Sequence, residues 1–298
     1  MIEYLMIEPT TYCNLNCIYC NRNKTIKGNK HMTPDDVDMY LDKLKKQPIK
    51  EIKTQVLGEP YLNPDILSIY SKINSYFPKA FIISSTNCQH KSYEHFIESL
   101  QYVDLMYLSI DGYEKSYERD RKGAKWSKLL KFLDKLSESS LPNRARITIN
   151  TVVHMNNIND LDGVYKIKEK YNYIKEVRIN IAQWWTEDEE LKSDYDKNFI
   201  QILKKHKNDV KGKSPWTFSN CWWPSKGLVI RVNGDVNVCC LNTSAKHIGN
   251  IYRNTLHQIL DNKDRMFIKR MCAMNKPAKH CITCDYKRLS PILGSIIL

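Results

Sequence analysis

The sequence predicts an α/β protein, with a partial (β/α)6 barrel of the TIM type over residues 1–210 and a small hairpin-and-helix domain over residues 211–298. Short apolar runs alternate with helical patterns along the first part, which favours parallel strands joined by right-handed crossovers. Six such units are fewer than the eight of a closed barrel, so the barrel is expected to be partial. Beyond residue 210 the alternation stops, and an Asn-Gly pair between two β-rich arms predicts a hairpin.

Six apolar runs that end in turn residues predict the barrel strands. They are Tyr4–Ile7, Ile52–Leu57, Phe81–Ile83, Leu105–Ile110, Ile147–Val153 and Val177–Ile181. The clearest helix begins at Thr33-Pro34, an N-cap followed by proline at the first helical position. A second helix is predicted from Trp126 to Leu136. After the hairpin of residues 228–238, one helix is expected over about 255–270.

Composition and charge exclude several classes of protein. The net charge is +13, but the 46 Lys and Arg residues are spread along the chain without a block of like charge, so a nucleic-acid partner is not expected. An acidic or phosphorylated substrate is the alternative partner for this charge. No apolar run is long enough to span a bilayer and no secretory signal begins the chain, so we expect a cytoplasmic protein with no membrane partner.

Ten cysteines point to metal or redox chemistry, because a cytoplasmic chain is not expected to hold disulfides. Cys13, Cys17 and Cys20 form a front group directly after the first strand. A structural zinc site needs four ligands, whereas a Cx3Cx2C loop fits three corners of a cubane iron–sulfur cluster and leaves the fourth iron open. A back group follows residue 220, and Cys88 stands alone. The back group contains Cys221, Cys239, Cys240, Cys272, Cys281 and Cys284.

The front cysteines, their place after strand one and the aromatic Tyr19 before Cys20 resemble the radical SAM superfamily. The resemblance implies a 4Fe–4S cluster whose open iron chelates S-adenosylmethionine (SAM) through its amino and carboxylate groups. It further implies reductive cleavage of SAM to a 5′-deoxyadenosyl radical that abstracts a substrate hydrogen. An electron donor such as flavodoxin or ferredoxin is the partner expected on the same ground.

Other positions resemble segments that line the SAM pocket in this family. Gly58-Glu59-Pro60 resembles the glycine-rich GGE-type motif that holds the SAM amino group, although Leu57 stands where the family has its first glycine. Arg121 resembles the basic residue aimed at the SAM carboxylate, with a solvated arginine as the alternative. The cofactor residues implied by the resemblance are Tyr19, Gly58, Glu59, Pro60, Ser85, Asn87, Ser109 and Arg121.

The back cysteines resemble the C-terminal SPASM domain, or its shortened twitch form. The pattern is Cys221, then Gly234-x4-Cys239, then Cys281-x2-Cys284. The resemblance implies one auxiliary 4Fe–4S cluster on these four cysteines, with zinc on the same thiolates as the alternative. Adjacent side chains on a strand face opposite ways, so Cys240 is expected to be a small core residue. The candidate hydrogen-atom donors are the remaining thiols, Cys88, Cys240 and Cys272. For Cys272, a buried thiol or the remnant of a second cluster are the alternatives.

The resemblance fixes the type of reaction better than the substrate. One auxiliary cluster resembles the 2-deoxy-scyllo-inosamine dehydrogenase group, which implies dehydrogenation or epimerisation of a carbohydrate-like small molecule. A maturase acting on a ribosomal peptide is the alternative, and a non-enzymatic iron–sulfur or RNA-associated protein is the third hypothesis. No catalytic base is assigned. Side chains considered for holding or stacking on a substrate are Asn150, His154, Gln183, Trp184, Trp185, Trp222 and Trp223.

Overall fold

The computed structural model describes residues 1–22, 28–142, 144–182, 195–210, 221–239, 247–274 and 276. Eleven strands lie in these residues, nine of them in one sheet. They are β1 (Tyr4–Ile7), β2 (Asn16–Cys17), β3 (Glu51–Lys53), β4 (Phe81–Thr86), β5 (Leu105–Ser109), β6 (Arg121–Lys122), β7 (Arg146–Val153), β8 (Ile174–Ile181), β9 (Gly227–Ile230), β10 (Asp235–Asn237) and β11 (His247–Asn250). The strands β2 and β6 form a separate antiparallel pair.

Ten α-helices lie in the same described residues, and two short 3-10 turns cover Pro60–Leu62 and Ile158–Asp160. The helices are α1 (Pro34–Leu44), α2 (Ile66–Tyr76), α3 (Tyr93–Ser99), α4 (Lys115–Asp120), α5 (Trp126–Ser137), α6 (Leu161–Lys170), α7 (Lys197–Lys205), α8 (Trp223–Lys226), α9 (Leu256–Leu260) and α10 (Lys263–Ala273). None of these described helices is long and apolar enough to cross a membrane.

The main sheet has the order β11-β10-β9-β1-β3-β4-β5-β7-β8. The six predicted barrel strands are confirmed in order and are parallel to their neighbours, although the second strand is limited to β3. The end strands β11 and β8 are not paired with each other in the described residues, so the barrel is open, as predicted.

The hairpin extends the barrel sheet, which the sequence did not predict. Its first strand, β9, runs parallel to β1, with Leu5 level with Leu228 and Ile7 level with Ile230. The second strand, β10, returns antiparallel to β9 and pairs with β11. Between them, Gly234 has φ +81°, and a Cβ there would lie 2.3 Å from the Tyr252 ring. The predicted Asn-Gly turn is therefore confirmed.

The two faces of the sheet differ in what covers them. Residues such as Ile82 and Leu108 pack with the helices in the main hydrophobic core. The other face, called the inner face below, carries a separate small cluster of Ile83, Leu105 and Tyr107. Because side chains alternate along a strand and level residues of parallel neighbours point to the same side, the register extends the inner face across the sheet.

Local signals set the helix ends. Thr33 and Asp36 form the capping box at the start of α1, whose buried side chains include Val37 and Leu41. The prediction of one helix over 255–270 is wrong, because the chain forms α9 and α10 instead. The side chain of Asn262 accepts a hydrogen bond from the Asp264 amide at 2.9 Å and so caps a new helix there.

Candidate active site

Three cysteines lie in the loop that follows β1, at the carboxyl end of the first barrel strand. Cys13, Cys17 and Cys20 are half-buried, and the pairing of β2 with β6 places Arg121 directly across from Cys17. Burial raises the pKa of Cys17 to about 12 and also raises the pKa values of Cys13 and Cys20. The thiols therefore hold their protons, and a metal that binds here must displace them.

The loop after β3 packs directly against the backbone of this cysteine loop. The amide of Glu59 donates to the Tyr12 carbonyl at 2.7 Å. A Cβ added at Gly58 would lie only 2.0 Å from the carbonyl oxygen of Thr10, closer than any real side chain approaches backbone. Position 58 therefore admits glycine alone in this backbone, and the missing side chain is what lets the two loops meet.

Glu59 and Asn87 connect the loops that follow β3 and β4. The backbone amide of Asn87 donates to Glu59 Oε2 at 2.7 Å, and burial raises the pKa of Glu59 to about 7. Asn87 Nδ2 donates to Asn14 Oδ1 at 2.8 Å and lies 3.9 Å from Cys13 Sγ. Pro60 begins the 3-10 turn that Glu59 caps. Asn87 thus lies beside a predicted cluster ligand, and its contact with SAM stays a prediction.

Ser85 and Ser109 lie on the inner face, on neighbouring strands. Ser84, one residue before Ser85, hydrogen-bonds to Tyr70 on the helix-covered face at 2.6 Å, so Ser85 faces the other way. Ser109 is level with Asn150 of β7. Both serines are half-buried. The fold therefore brings the two serines to the same side of the sheet, and their role at SAM remains a prediction.

Asp111, which is not among the predicted cofactor residues, organises one edge of the site. Its fully buried carboxylate pairs with Arg121 Nε at 2.6 Å, accepts from the Val152 amide at 2.7 Å and bonds to the Tyr19 hydroxyl. Burial alone would lower the pKa of Arg121, but the charge of Asp111 raises it above its ordinary value. One carboxylate therefore holds two predicted cofactor residues. Its signal in the sequence is an acid directly after a buried strand.

The alternative of a solvated arginine at position 121 is wrong, since Arg121 is 7% exposed. The chain reaches it through α4, and the Ile18 amide donates to the Asp120 carbonyl at 2.9 Å. The cysteine loop and the segment that carries Arg121 are thus joined by backbone hydrogen bonds on both sides of residue 17.

His154 has both ring nitrogens engaged. Its Nε2 bonds to the buried Asp120 carboxylate at 2.9 Å, and its Nδ1 accepts from the Asn156 amide at 3.3 Å. Asp120 also pairs with Arg119 Nε at 2.7 Å. The ring links the end of β7 to α4, which favours a structural role over that of a base.

Two amides lie side by side on the inner face. Asn180 Nδ2 donates to Asn150 Oδ1 at 2.8 Å, and both side chains are half-buried. Asn150 was considered in the sequence analysis, whereas Asn180 was missed. Gln183, Trp184 and Trp185 lie outside the described residues.

Cys272 of α10 lies beside Cys221, a contact that the sequence did not reveal. The hydrogen bond between the Cys221 thiol and Cys272, together with burial, raises the pKa of Cys221, and Cys239 is close enough to add a smaller electrostatic effect. Cys221 and Cys239 are half-buried. A residue left outside the predicted ligand set is thus in contact with one of its members. Cys240, Cys281 and Cys284 lie outside the described residues.

Trp222 and Trp223 pack on Tyr4 at the start of β1, with ring centroids 4.4 and 6.3 Å away. The front cysteine loop follows the other end of the same strand. The indoles therefore serve packing at the amino end of β1 and do not line the mouth near the loop. Cys221, which directly precedes Trp222, lies toward that same amino end.

Cys88 packs in the main core and is 1% exposed, with φ +58° and its Sγ 3.9 Å from the Thr86 carbonyl. Cys272 is 7% exposed. Burial of this extent argues against both thiols as hydrogen-atom donors to a substrate on the inner face.

The cysteine loop after β1 and the residues around it match a known protein family. The family model of the radical SAM superfamily matches residues 7–166, more than half of the chain. The match includes the three front cysteines and all the predicted cofactor residues. The chain belongs to the radical SAM superfamily. It therefore binds SAM and a 4Fe–4S cluster.

The back cysteines of this radical SAM protein also match a known domain. Residues 221–285 match the SPASM domain, an iron–sulfur cluster-binding domain that holds auxiliary clusters. The match begins at Cys221 and includes Cys239, Cys272, Cys281 and Cys284. The number of auxiliary clusters and the identity of their ligands remain predictions.

Curated relatives are named probable GTP 3′,8-cyclases. The protein of Methanothermobacter marburgensis is 35% identical over 71 residues, 24% of this chain and 23% of its own length. That of Pyrococcus horikoshii is 33% identical over 75 residues, 25% of this chain and 24% of its own length. The chain thus matches about a quarter of the length of these relatives. The protein of Methanococcus aeolicus is 27% identical over 212 residues, 70% of this chain and 68% of its own length.

Solved structures share the fold of this radical SAM protein at low sequence identity. Streptococcus suis SuiB has a TM-score of 0.71 at 15% identity, with 97% of this chain and 72% of SuiB covered. The enzyme anSMEcpe with bound AdoMet and a peptide has a TM-score of 0.70 at 17% identity, covering 99% of this chain and 88% of that one. BtrN in complex with AdoMet and 2-DOIA has a TM-score of 0.56 at 15% identity, covering 92% and 87%.

The front loop fits the cofactor by the chemistry of its donors and by its backbone. It supplies three thiols within eight residues, and the absent side chain at Gly58 brings a second loop against it. In the described residues, no three side chains of metal-ligating type converge on one point. The spacing of Cys13, Cys17 and Cys20 and the family match support these three residues as cluster ligands, and their role stays a prediction.

Proposed function

We propose that this radical SAM enzyme abstracts a hydrogen atom from a polar, carbohydrate-like small molecule and thereby oxidises or epimerises it. The observation that carries the proposal is a row of polar side chains beside the predicted SAM pocket. Ser109, Asn150 and Arg178 lie level on β5, β7 and β8, and Asn180 bonds to Asn150. Hydroxyl groups of a sugar or cyclitol require donors and acceptors of this kind.

The chain's own residues position the reactants in this proposal. When bound and reduced, SAM with its cluster supplies a hydrogen-abstracting radical. Cys13, Cys17 and Cys20 hold the cluster, and Asp111 fixes Tyr19 and Arg121 at the edge of the pocket. The paired amides of the inner face hold the substrate hydroxyls, so that one C–H bond faces the pocket.

Oxidation is favoured over epimerisation because two of the three candidate hydrogen-atom donors, Cys88 and Cys272, are buried. Conversion of a carbinol to a carbonyl releases one hydrogen atom, one electron and one proton. The auxiliary cluster, which we assign to Cys221, Cys239, Cys281 and Cys284, is the electron acceptor that the resemblance implies. Epimerisation instead needs a thiol that returns a hydrogen atom, and Cys88 and Cys272 are both buried.

The first experiment is anaerobic reconstitution, followed by measurement of iron, sulfide and 5′-deoxyadenosine with dithionite as reductant. About eight irons are expected, falling to about four in a Cys13/Cys17/Cys20→Ala variant that no longer cleaves SAM. Flavodoxin or ferredoxin is then tested in place of dithionite. Wild-type protein with a full complement of iron that forms no 5′-deoxyadenosine would overturn the proposal.

Substrate class is tested with deuterium-labelled compounds. Sugars and aminocyclitols that carry deuterium on carbinol carbons are expected to transfer it to 5′-deoxyadenosine, with formation of a ketone. GTP is included because of the names of the curated relatives. Transfer from GTP and from none of the sugars would contradict a carbohydrate-like substrate.

A peptide substrate is the second candidate. In the described residues, β8 is one of the two edge strands of the main sheet, and apart from β7 it makes only an isolated bridge from Ile179 to Val210. An extended peptide can add to an open edge of this kind. Deuterium transfer from a labelled peptide, and none from a sugar, would favour this candidate.

A further inference from the structure

Charged side chains that strand alternation assigns to the inner face are paired, with Arg178 as the exception among the described residues. The pairs are Glu8–Arg231 at 2.9 Å, Lys53–Glu51 at 3.3 Å and Arg146–Glu176 at 3.4 Å. Arg178, half-buried on β8, has no acidic partner in the described residues. The inner face thus contains a cation whose charge the described part of the chain leaves uncompensated.

The guanidinium of Arg178 is held in place by an aromatic ring. Its Nη1 donates to the Tyr107 hydroxyl at 2.5 Å, and its carbon lies 5.2 Å from the centre of the Tyr107 ring. Its Nε is buried without a hydrogen-bond partner in the described residues. A guanidinium has five N–H donors, so most of them remain for a ligand.

The position of Arg178 places it within reach of a substrate at the SAM pocket. It is level with Asn150 of β7, which is level with Ser109 of β5. With neighbouring strands about 4.8 Å apart, the backbone of Arg178 lies about 10 Å from that of Ser109. A small molecule on Asn150 and Asn180 can span this distance.

We propose that Arg178 binds an anionic group of the substrate, a carboxylate or a phosphate. The inference rests on the proposed function, because the inner face is taken as the substrate site. Within that function, it limits the substrate to polar small molecules that carry a permanent negative charge. A planar guanidinium matches both oxyanions through two parallel hydrogen bonds. Tyr107 positions the Arg178 guanidinium, and the bound anion supplies the negative charge that the described residues of the inner face lack.

The direct test measures binding of radiolabelled inorganic phosphate and of radiolabelled succinate to reconstituted protein with SAM, by equilibrium dialysis. Arg178→Gln is expected to weaken binding of the preferred probe by about tenfold or more, with Arg178→Lys intermediate. The probe that binds more tightly shows whether the site prefers a phosphate or a carboxylate group. Binding of neither probe, or binding that Arg178→Gln leaves unchanged, would overturn the proposal.

Arg146→Gln is the matched control, since Arg146 is on the same face but already paired with Glu176. This variant is expected to bind the probes like the wild type. The iron content and the far-UV circular dichroism spectrum of Arg178→Gln are expected to match those of the wild type, because the side chain is half-buried on the inner face and lies outside the main core. Unchanged values show that the variant is folded.

If Arg178→Gln does not fold, phenylglyoxal labelling of the wild type decides. Phosphate or succinate is expected to protect Arg178 and to leave the surface residue Arg144 reactive. Equal protection of both arginines would refute the anion site. The two proposals can fail separately. If the wild type binds the anion through Arg178 but does not cleave SAM, only the proposed function is contradicted. If it cleaves SAM but binds no anion, only the anion site is contradicted.

Discussion

Gly58 is where the loops of the candidate site come closest. We expect Gly58→Ala to abolish SAM-dependent 5′-deoxyadenosine formation, because the new Cβ displaces the Thr10 carbonyl and breaks the bond from Glu59 to Tyr12. Gly28→Ala is the control, since no described residue lies within 4 Å of its added Cβ and its left-handed φ adds about 1 kcal/mol of strain. Equal activity of the two variants would contradict the role of Gly58.

His90 makes stability depend on pH. Burial among aromatic rings lowers its pKa to about 4, and neither ring nitrogen has a partner in the described residues. In the unfolded chain the pKa of His90 is near 6.5, so His90 binds a proton at higher pH there than in the folded chain. The free energy of unfolding therefore falls as pH drops from about 6.5 towards 4, and His90 alone lowers it by about 1 kcal/mol between pH 7.5 and 5.5.

His90→Phe is expected to remove this contribution and to keep the packing on Tyr61. Urea denaturation of both proteins at pH 7.5 and 5.5 measures the difference. An unchanged pH dependence in the variant would show that His90 does not titrate as its burial implies.

Single residues also show what the sequence revealed about the site. The spacing of Cys13, Cys17 and Cys20 was sufficient to predict the front loop, because its three ligands are neighbours in the chain. Asp111 was missed because its partners lie far away in sequence, Tyr19 before it and Arg121 after it, and only burial brings the three together.

Between elements, the buried ion pair Glu8–Arg231 joins the residues that directly follow β1 and β9. Arg231→Met leaves the buried Glu8 carboxylate without its partner, which is expected to lower the free energy of unfolding by about 3–5 kcal/mol. The double variant Glu8→Gln/Arg231→Met is expected to recover most of this loss, because no lone charge remains.

Thermal and urea denaturation at pH 7 measure both effects. Lys53→Met is the control, because the pair of Lys53 with Glu51 is partly exposed and contributes about 1 kcal/mol or less. A double variant no more stable than Arg231→Met would argue against a coupled pair.

The elements were predicted to different extents. Alternating apolar runs predicted the six barrel strands, and Thr33 predicted the start of α1, because both signals are local. The pairing of β9 with β1 was not predicted, since residues more than 200 positions apart determine it. The division of the last helix followed from the Asn262 cap, a local signal that the apolar periodicity masked.

At the scale of the whole molecule, the front cysteine loop follows the carboxyl end of β1, whereas Cys221 lies toward its amino end. Cys221→Ala is expected to remove about four of about eight irons and to leave substrate-free cleavage of SAM intact, because the front loop does not depend on Cys221. Cys272→Ala is expected to retain about eight irons, since four other cysteines complete the cluster. Iron analysis with 5′-deoxyadenosine measurement checks both, and loss of four irons in Cys272→Ala would place Cys272 among the ligands.

The sequence by itself determined the parallel α/β architecture, the front cysteine loop and the domain that carries the back cysteines. The architecture follows from periodicity, and the two cysteine groups follow from spacings that carry a family resemblance; both are properties of short segments. The tertiary structure decided that the hairpin joins the barrel sheet, that Asp111 holds Arg121 and that Cys272 contacts Cys221. It also decided that Arg178 lies on the inner face beside Tyr107, with no acidic partner among the described residues. The physical reason is that burial and pairing of charges depend on neighbours contributed by distant segments, and those neighbours exist only once the sheet has formed.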